Sequence, residues 1–253
     1  METIKKGSKS IDVLSLQCCL PGLVLDGDFG GHTEEVVKKF QRDHGLKDDG
    51  VVGSKTWSLL LPERPSISEA DYKRIASELG VSPAILKAIH KVETSGKSYL
   101  PEGYPSLLFE AHIFYSQLGS KKAESLLPGN RDILSKTWNK SLYKGGVKEV
   151  PRLNKAFLIS PEAALSSASF GAFQICGFNW KKSGVSSVWE FYREMWTSEV
   201  GQLRLLSGFL KGSGIVPYMK SLNFKEIARR YNGEGYSKNG YDTKLRSAYQ
   251  SFL

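Results

Sequence analysis

The chain reads as a mainly α-helical protein: a small three-helix bundle, a linker, and a larger helical domain with at most a small β-hairpin. Three observations predict this. A duplicated turn-and-helix unit fills the first sixty residues, two prolines interrupt the chain after it, and apolar residues recur at helical spacing beyond. Composition agrees: the 253 residues are 40% hydrophobic and 24% charged, close to ordinary globular usage, which argues against disorder.

The duplicated unit runs Asp26-Gly27-Asp28-Phe29-Gly30-Gly31-His32-Thr33 and returns 23 residues later as Asp49-Gly50-Val51-Val52-Gly53-Ser54-Lys55-Thr56. Asp-Gly makes a tight turn, the next glycine allows close backbone approach, and each threonine is placed to cap the helix that follows. Helices are expected from Glu34 to Asp43 and from Trp57 to Leu61. Ile11, Val13, Leu14, Leu16, Gln17 and Leu20 suit an earlier one. The segment Pro62-Glu63-Arg64-Pro65-Ser66-Ile67-Ser68 reads as a stiff linker, because proline denies backbone donors and breaks helix. The expected division is a first domain over 1–62, a linker over 63–68 and a second domain over 69–253.

Leu16-Gln17, the two D-G-x-x-G-x-x-T units, Val36-x-x-x-Phe40-Gln41, Gly45-Leu46 and Trp57 resemble the helical peptidoglycan-binding module attached to many cell-wall hydrolases. The resemblance covers nearly all of residues 5–61. It implies wall anchoring through a shallow groove near the two Asp-Gly turns, with Asp26, Phe29, Asp49, Thr56 and Trp57 as anchoring residues.

In the second domain Ser82-Pro83 is a helix start and Gly96 a plausible stop. Ile85, Ala88, Ile89 and Val92 form an apolar face between them, and Glu93 falls on that face in the last turn. Burial and the helix C-terminal dipole both disfavour a carboxylate there. A carboxylic acid kept protonated near neutral pH is what a general acid requires, and glycosidic bond cleavage is the reaction that most often calls for one. The structural alternative pairs Glu93 with Lys97 or His90. Glu102 follows in a Gly/Pro-rich stretch, 96–105, that can return a second carboxylate toward Glu93.

Val92-Glu93-Thr94-Ser95-Gly96, the run from Pro105 to Phe114, the run from Ala164 to Ile175 and Tyr231-Asn232-Gly233 together resemble the N-acetylmuramidase domain of modular phage endolysins, from about Tyr72 to Tyr249. The resemblance implies a lysozyme-like fold, cleavage of the β-1,4 bond between N-acetylmuramic acid and N-acetylglucosamine, and Glu93 as the catalytic acid. Relatives commonly carry Asp where this chain has Glu102, which leaves the second carboxylate open between Glu102 and Glu110. The flanking Leu108, Phe109, Ile113 and Phe114 suggest a buried helix, so Glu110 reads as a brace that orients Glu93. His112, Ser169, Gln174, Tyr231 and Asn232 are expected beside Glu110 as substrate-binding residues. The small-residue turn 167–174 and the Tyr-Asn-Gly run have counterparts in goose-type lysozymes and lytic transglycosylases. Trp180, Trp189 and Trp196 offer sugar platforms, although Trp189, Phe191, Met195 and Trp196 equally fit a core helix.

His90, Glu93 and His112 lack zinc-type spacing, so no metal is expected, and nothing calls for a cofactor. Adjacent Cys18 and Cys19, with Cys176, make a poor disulfide framework and suit a reducing cytosol. The chain carries a formal +9, yet residues 1–65 hold 9 basic and 10 acidic side chains, so the excess lies in the second domain. Its cations are scattered without a nucleic-acid-binding motif, which turns the expectation from nucleic acid to bacterial peptidoglycan and an acidic cell envelope. No apolar run is long enough for membrane insertion, and no export signal follows the first residues. The expectation is a monomer held in the host cytoplasm until it is released to the wall. Three other classes compete: a lytic transglycosylase with 1,6-anhydromuramic acid products, a nucleic-acid binder and a non-catalytic wall-binding protein.

Overall fold

Ser10 accepts a hydrogen bond from the Val13 amide and starts α1 (Ile11–Cys19). Two further helices follow, α2 (Gly31–Asp43) and α3 (Ser54–Leu60). Both begin at a glycine, Gly30 and Gly53, without a side-chain cap. The expected threonine caps are therefore corrected: Thr33 and Thr56 lie inside the helices and are buried. Extended glycines let each helix start before its threonine. Ile4, Val13, Leu16, Phe29, Val37, Val52 and Trp57 form the bundle core. A computed structural model supplies these positions and describes residues 1–61, 63–94 and 97–253. The expected helix stop at Gly96 and the linker's Pro62 lie outside the described residues.

The two Asp-Gly turns are held by glutamines. Gln17 Oε1 accepts from the amides of Asp26 (3.1 Å) and Gly27 (2.8 Å), while its Nε2 donates to Asp26 Oδ1 (2.7 Å). Gln41 repeats the arrangement, accepting from Gly50 N at 2.9 Å and donating to Val51 O at 3.0 Å. Each amide side chain satisfies buried turn groups that would otherwise cost about 1–3 kcal/mol apiece.

After the linker, Ser68 and Asp71 make a reciprocal capping box for α4 (Glu69–Leu79), which ends at left-handed Gly80. Helix α5 (Pro83–Thr94) buries Ile85, Leu86, Ala88 and Ile89. Strand β1 (Leu107–Phe109) then leads directly into α6 (Ala111–Leu118), with Glu110 as the joint between them. Glu110 thus sits at a helix start, not within the continuous buried helix expected from its apolar neighbours. Helices α7 (Ser120–Leu126), α8 (Glu149–Ile159) and α9 (Pro161–Ser166) follow. Strands β2 (Ala168–Phe170) and β3 (Ile175–Cys176) complete a small sheet in the order β1-β2-β3, one strand more than a hairpin. The chain closes with α10 (Val188–Thr197), α11 (Glu199–Gly212), α12 (Val216–Lys220), α13 (Phe224–Asn232) and α14 (Tyr241–Gln250). Among the described residues no helix is long and apolar enough to cross a membrane.

Two compact units result, residues 1–64 with 100–169 and residues 65–99 with 170–253. In the first, the N-terminal bundle is packed on the segment 100–169. Phe157 lies so close to Gly27 that a Cβ there would meet its ring at 2.4 Å. The Ile11 amide donates to Asn154 Oδ1 at 3.1 Å, and the Tyr104 hydroxyl donates to Asp12. In the second unit α5 packs along α14, and Phe191, Met195 and Trp196 are buried on α10 as core, with Trp180 and Trp189 half-buried.

Candidate active site

In the second unit the apolar stripe of α5 carries Glu93 to the last turn, where its side chain is partly exposed. The Tyr241 hydroxyl, on the first residue of α14, donates to Glu93 Oε1 at 2.5 Å. Burial pushes the Glu93 carboxyl up to about 7, and the Tyr241 hydrogen bond opposes that rise only in part. His90 is held by the Tyr72 hydroxyl at 2.6 Å, and burial lowers its pKa.

Around Glu93 the small-residue turn supplies rigid backbone. Thr94 Oγ1 donates to Ala172 O at 3.0 Å, fastening the end of α5 to that turn. Gly171 (φ +72°) leaves room for buried Gln202, whose Oε1 would lie 2.6 Å from a Cβ and accepts from Ala172 N at 2.7 Å. Gln174 holds a left-handed backbone (φ +46°) and bonds Gly171 O through Nε2 at 3.0 Å. Tyr231 donates to Phe173 O at 2.7 Å and stacks on Tyr241 with ring centres 6.0 Å apart. Burial, with the nearby Glu93 charge, raises both phenols well above their usual range, so they remain hydroxyl donors. Asn232 is exposed at the end of α13. The structure therefore brings together Glu93, Gln174 and Tyr231.

Glu102, Glu110, His112 and Ser169 belong to the other unit. Glu102 is exposed in a tight turn closed by Leu100 N to Tyr104 O at 2.8 Å. Glu110 accepts from the Tyr143 hydroxyl at 2.5 Å and lies 3.3 Å from His112 Nδ1. The brace expected at Glu110 thus acts on Tyr143 and His112; Glu93 takes its hydrogen bond from Tyr241. Ser169 is half-buried on β2.

In the N-terminal bundle a groove of 440 Å³ borders the second Asp-Gly turn, lined in part by Gln41, Leu46, Asp49, Lys55 and Thr56. Asp26 and Asp49 are tied into their own turns. Phe29 and Trp57 are buried in the bundle core, so their expected role as direct anchors is corrected to a structural one. Thr56 also receives a hydrogen bond from Gln41 at 3.3 Å and shows little surface to the groove.

Residues 82–253 match the N-acetylmuramidase family, and they include Glu93 with its neighbours Tyr231 and Tyr241. The chain belongs to that family. It is a lysozyme-type glycoside hydrolase with a helical peptidoglycan-binding domain, the latter matched over residues 16–60 as a putative peptidoglycan binding domain. The muramidase is also similar to a solved structure, the Burkholderia AP3 phage endolysin, at 35% identity over 99% of both chains with a TM-score of 0.67. The decisive partner of the muramidase's Glu93 escaped sequence reasoning. Tyr241 lies ten residues beyond the Tyr231 of the Tyr-Asn-Gly run, and its position at the start of a helix was the only available signal. Tyr143 was missed as well, because the irregular segment around it has no periodicity to read.

Proposed function

We propose that this chain is a phage endolysin that hydrolyses the β-1,4 bond between N-acetylmuramic acid and N-acetylglucosamine, with Glu93 as the general acid. One observation carries the reading: a carboxyl held up to about 7 by burial, with a phenol fixing its orientation. The protonated Glu93 gives its proton to the glycosidic oxygen as the bond to the muramic acid C1 breaks. Water then supplies hydroxide to C1 and returns a proton. Glu102 is the second carboxylate in this scheme, and Gln174, Tyr231, Asn232, Ser169, Glu110 and His112 contact the glycan. The groove beside Asp49 anchors wall polymer, and the excess cations of the later residues attract an acidic envelope. The family resemblance supports a monomeric enzyme that collects in the cytoplasm of the infected host and reaches the wall once the membrane is permeabilised.

The test digests purified peptidoglycan with the wild type, Glu93→Gln, Glu102→Gln and Glu110→Gln, and weighs the fragments. Reducing-end muramic acid is expected from the wild type. Loss of the acid should slow cleavage by about 100-fold or more. Fragments lighter by one water would make the enzyme a transglycosylase, and undiminished digestion by Glu93→Gln would remove Glu93 from the mechanism.

A further inference from the structure

Trp138 is 60% exposed, more than any other tryptophan, phenylalanine or tyrosine among the described residues. A lone exposed tryptophan would carry little meaning. This one packs its ring against that of Tyr143, which belongs to a hydrogen-bonded set. Beside it the Tyr143 hydroxyl donates to Glu110 Oε2 at 2.5 Å, and Glu110 lies 3.3 Å from His112 Nδ1. The two rings meet nearly edge to face at 6.2 Å. Burial and the neighbouring Glu110 raise the Tyr143 phenol above its ordinary range, so it remains a donor.

Beneath this set lies a buried ion pair that fixes both chain segments presenting it. Glu149 is completely buried and accepts from the amides of Lys144 (2.5 Å) and Gly145 (3.0 Å), immediately after Tyr143. Arg152 Nη1 donates to Glu149 at 2.5 Å and to Phe109 O at 3.2 Å, immediately before Glu110. One ion pair therefore sets the distance from Glu110 to Tyr143, and through Tyr143 the attitude of the Trp138 ring. An apolar ring face beside a carboxylate and an imidazole matches a pyranose, which has an apolar face of C–H bonds and a polar rim of hydroxyl and acetamido groups.

The geometry points to a saccharide subsite on the first unit: the Trp138 ring stacks on an N-acetylated sugar of the glycan strand while Glu110 and His112 bond its rim. Glu149 and Arg152 act as positioning residues. This deepens the proposed glycan hydrolysis and rests on it for the identity of the polymer.

The experiment titrates Glu93→Gln protein with an N-acetylglucosamine tetramer and follows tryptophan emission, alone and with Trp138→Phe or Trp138→Ala added. In parallel, kcat and KM on solubilised peptidoglycan are measured for Trp138→Ala and Tyr143→Phe in the otherwise wild-type enzyme. The tetramer should shift the emission to the blue, and the shift should vanish in both Trp138 variants. Trp138→Ala should raise KM about tenfold, the equivalent of roughly 1.4 kcal/mol of binding, with kcat nearly kept. Trp138→Phe should keep part of the affinity because it keeps a ring face, and Tyr143→Phe should fall between wild type and Trp138→Ala. An unchanged KM in Trp138→Ala, or emission indifferent to the tetramer, overturns the subsite. Failure of the Glu93 reading would show separately, as Glu93→Gln digesting at the wild-type rate whatever Trp138 does.

Discussion

Glu93 and Glu149 are carboxylates in opposite circumstances. Glu149 is completely buried, yet it has an arginine and two backbone amides as partners. Glu93 keeps some contact with solvent, yet among the described residues its hydrogen-bond partner is one phenol, and burial sets the balance of its surroundings. Depth alone therefore does not decide which acid is available for chemistry. The number of donors does: Glu149 is tied into the structure by an arginine and two amides, whereas Glu93 is poised near 7 to give up a proton.

The contrast is broken most severely from the Glu149 side. Arg152→Leu leaves a buried carboxylate without its cation and should cost about 3–5 kcal/mol of stability, read by urea unfolding. A loss below about 1 kcal/mol would mean that the two amides suffice and that the pair is not a structural anchor.

From the Glu93 side the sign reverses. Its folded pKa of about 7 lies above the unfolded value of 4.5, so the fold binds the extra proton between those values. The associated stability is complete below about 4.5 and is lost as pH rises through about 7. Glu93→Gln does not titrate. At pH 8 it should be more stable than wild type by at most about 3 kcal/mol, with the difference closing toward pH 4. Melting curves at the two pH values decide this, and a pH-independent difference would contradict a raised carboxyl.

The smallest effect sharpens the comparison. Tyr241→Phe removes a hydrogen bond that favours the Glu93 carboxylate, so the acid should titrate higher still. The alkaline limb of the pH profile for kcat/KM should move up by about half a unit to one unit, while lost orientation lowers the plateau. A limb that moves down would mean that the phenol favours the protonated acid.

The sequence made the Glu93 side of this comparison legible and hid the Glu149 side. The recurrence of Ile85, Ala88 and Ile89 puts Glu93 at the end of an apolar stripe, and that local pattern survives in α5. The duplicated Asp-Gly units likewise announced a small bundle, because each turn is closed by a glutamine nine or eight residues before its aspartate. What could not be read depends on long separations. Glu110 and Tyr143 are 33 residues apart, and Glu93 and Tyr241 are 148 apart, with no spacing rule to connect them. The threonine caps and the helix around Glu110 failed for another reason: local propensity allowed them, and glycine turns and the small sheet overrode it.

The packing of Phe157 against Gly27, and of Asn154 and Tyr104 against α1, bears on how such enzymes exchange parts. The linker invites a cut, yet the first bundle and the segment 100–169 share a fitted boundary. A foreign wall-binding module joined at the same point would arrive without the glycine notch that receives Phe157 and without the acceptor for Tyr104. Successful interchange in this lineage then requires the new module to bring a matching face, so recombination is limited by surface fit more than by where the chain can be spliced.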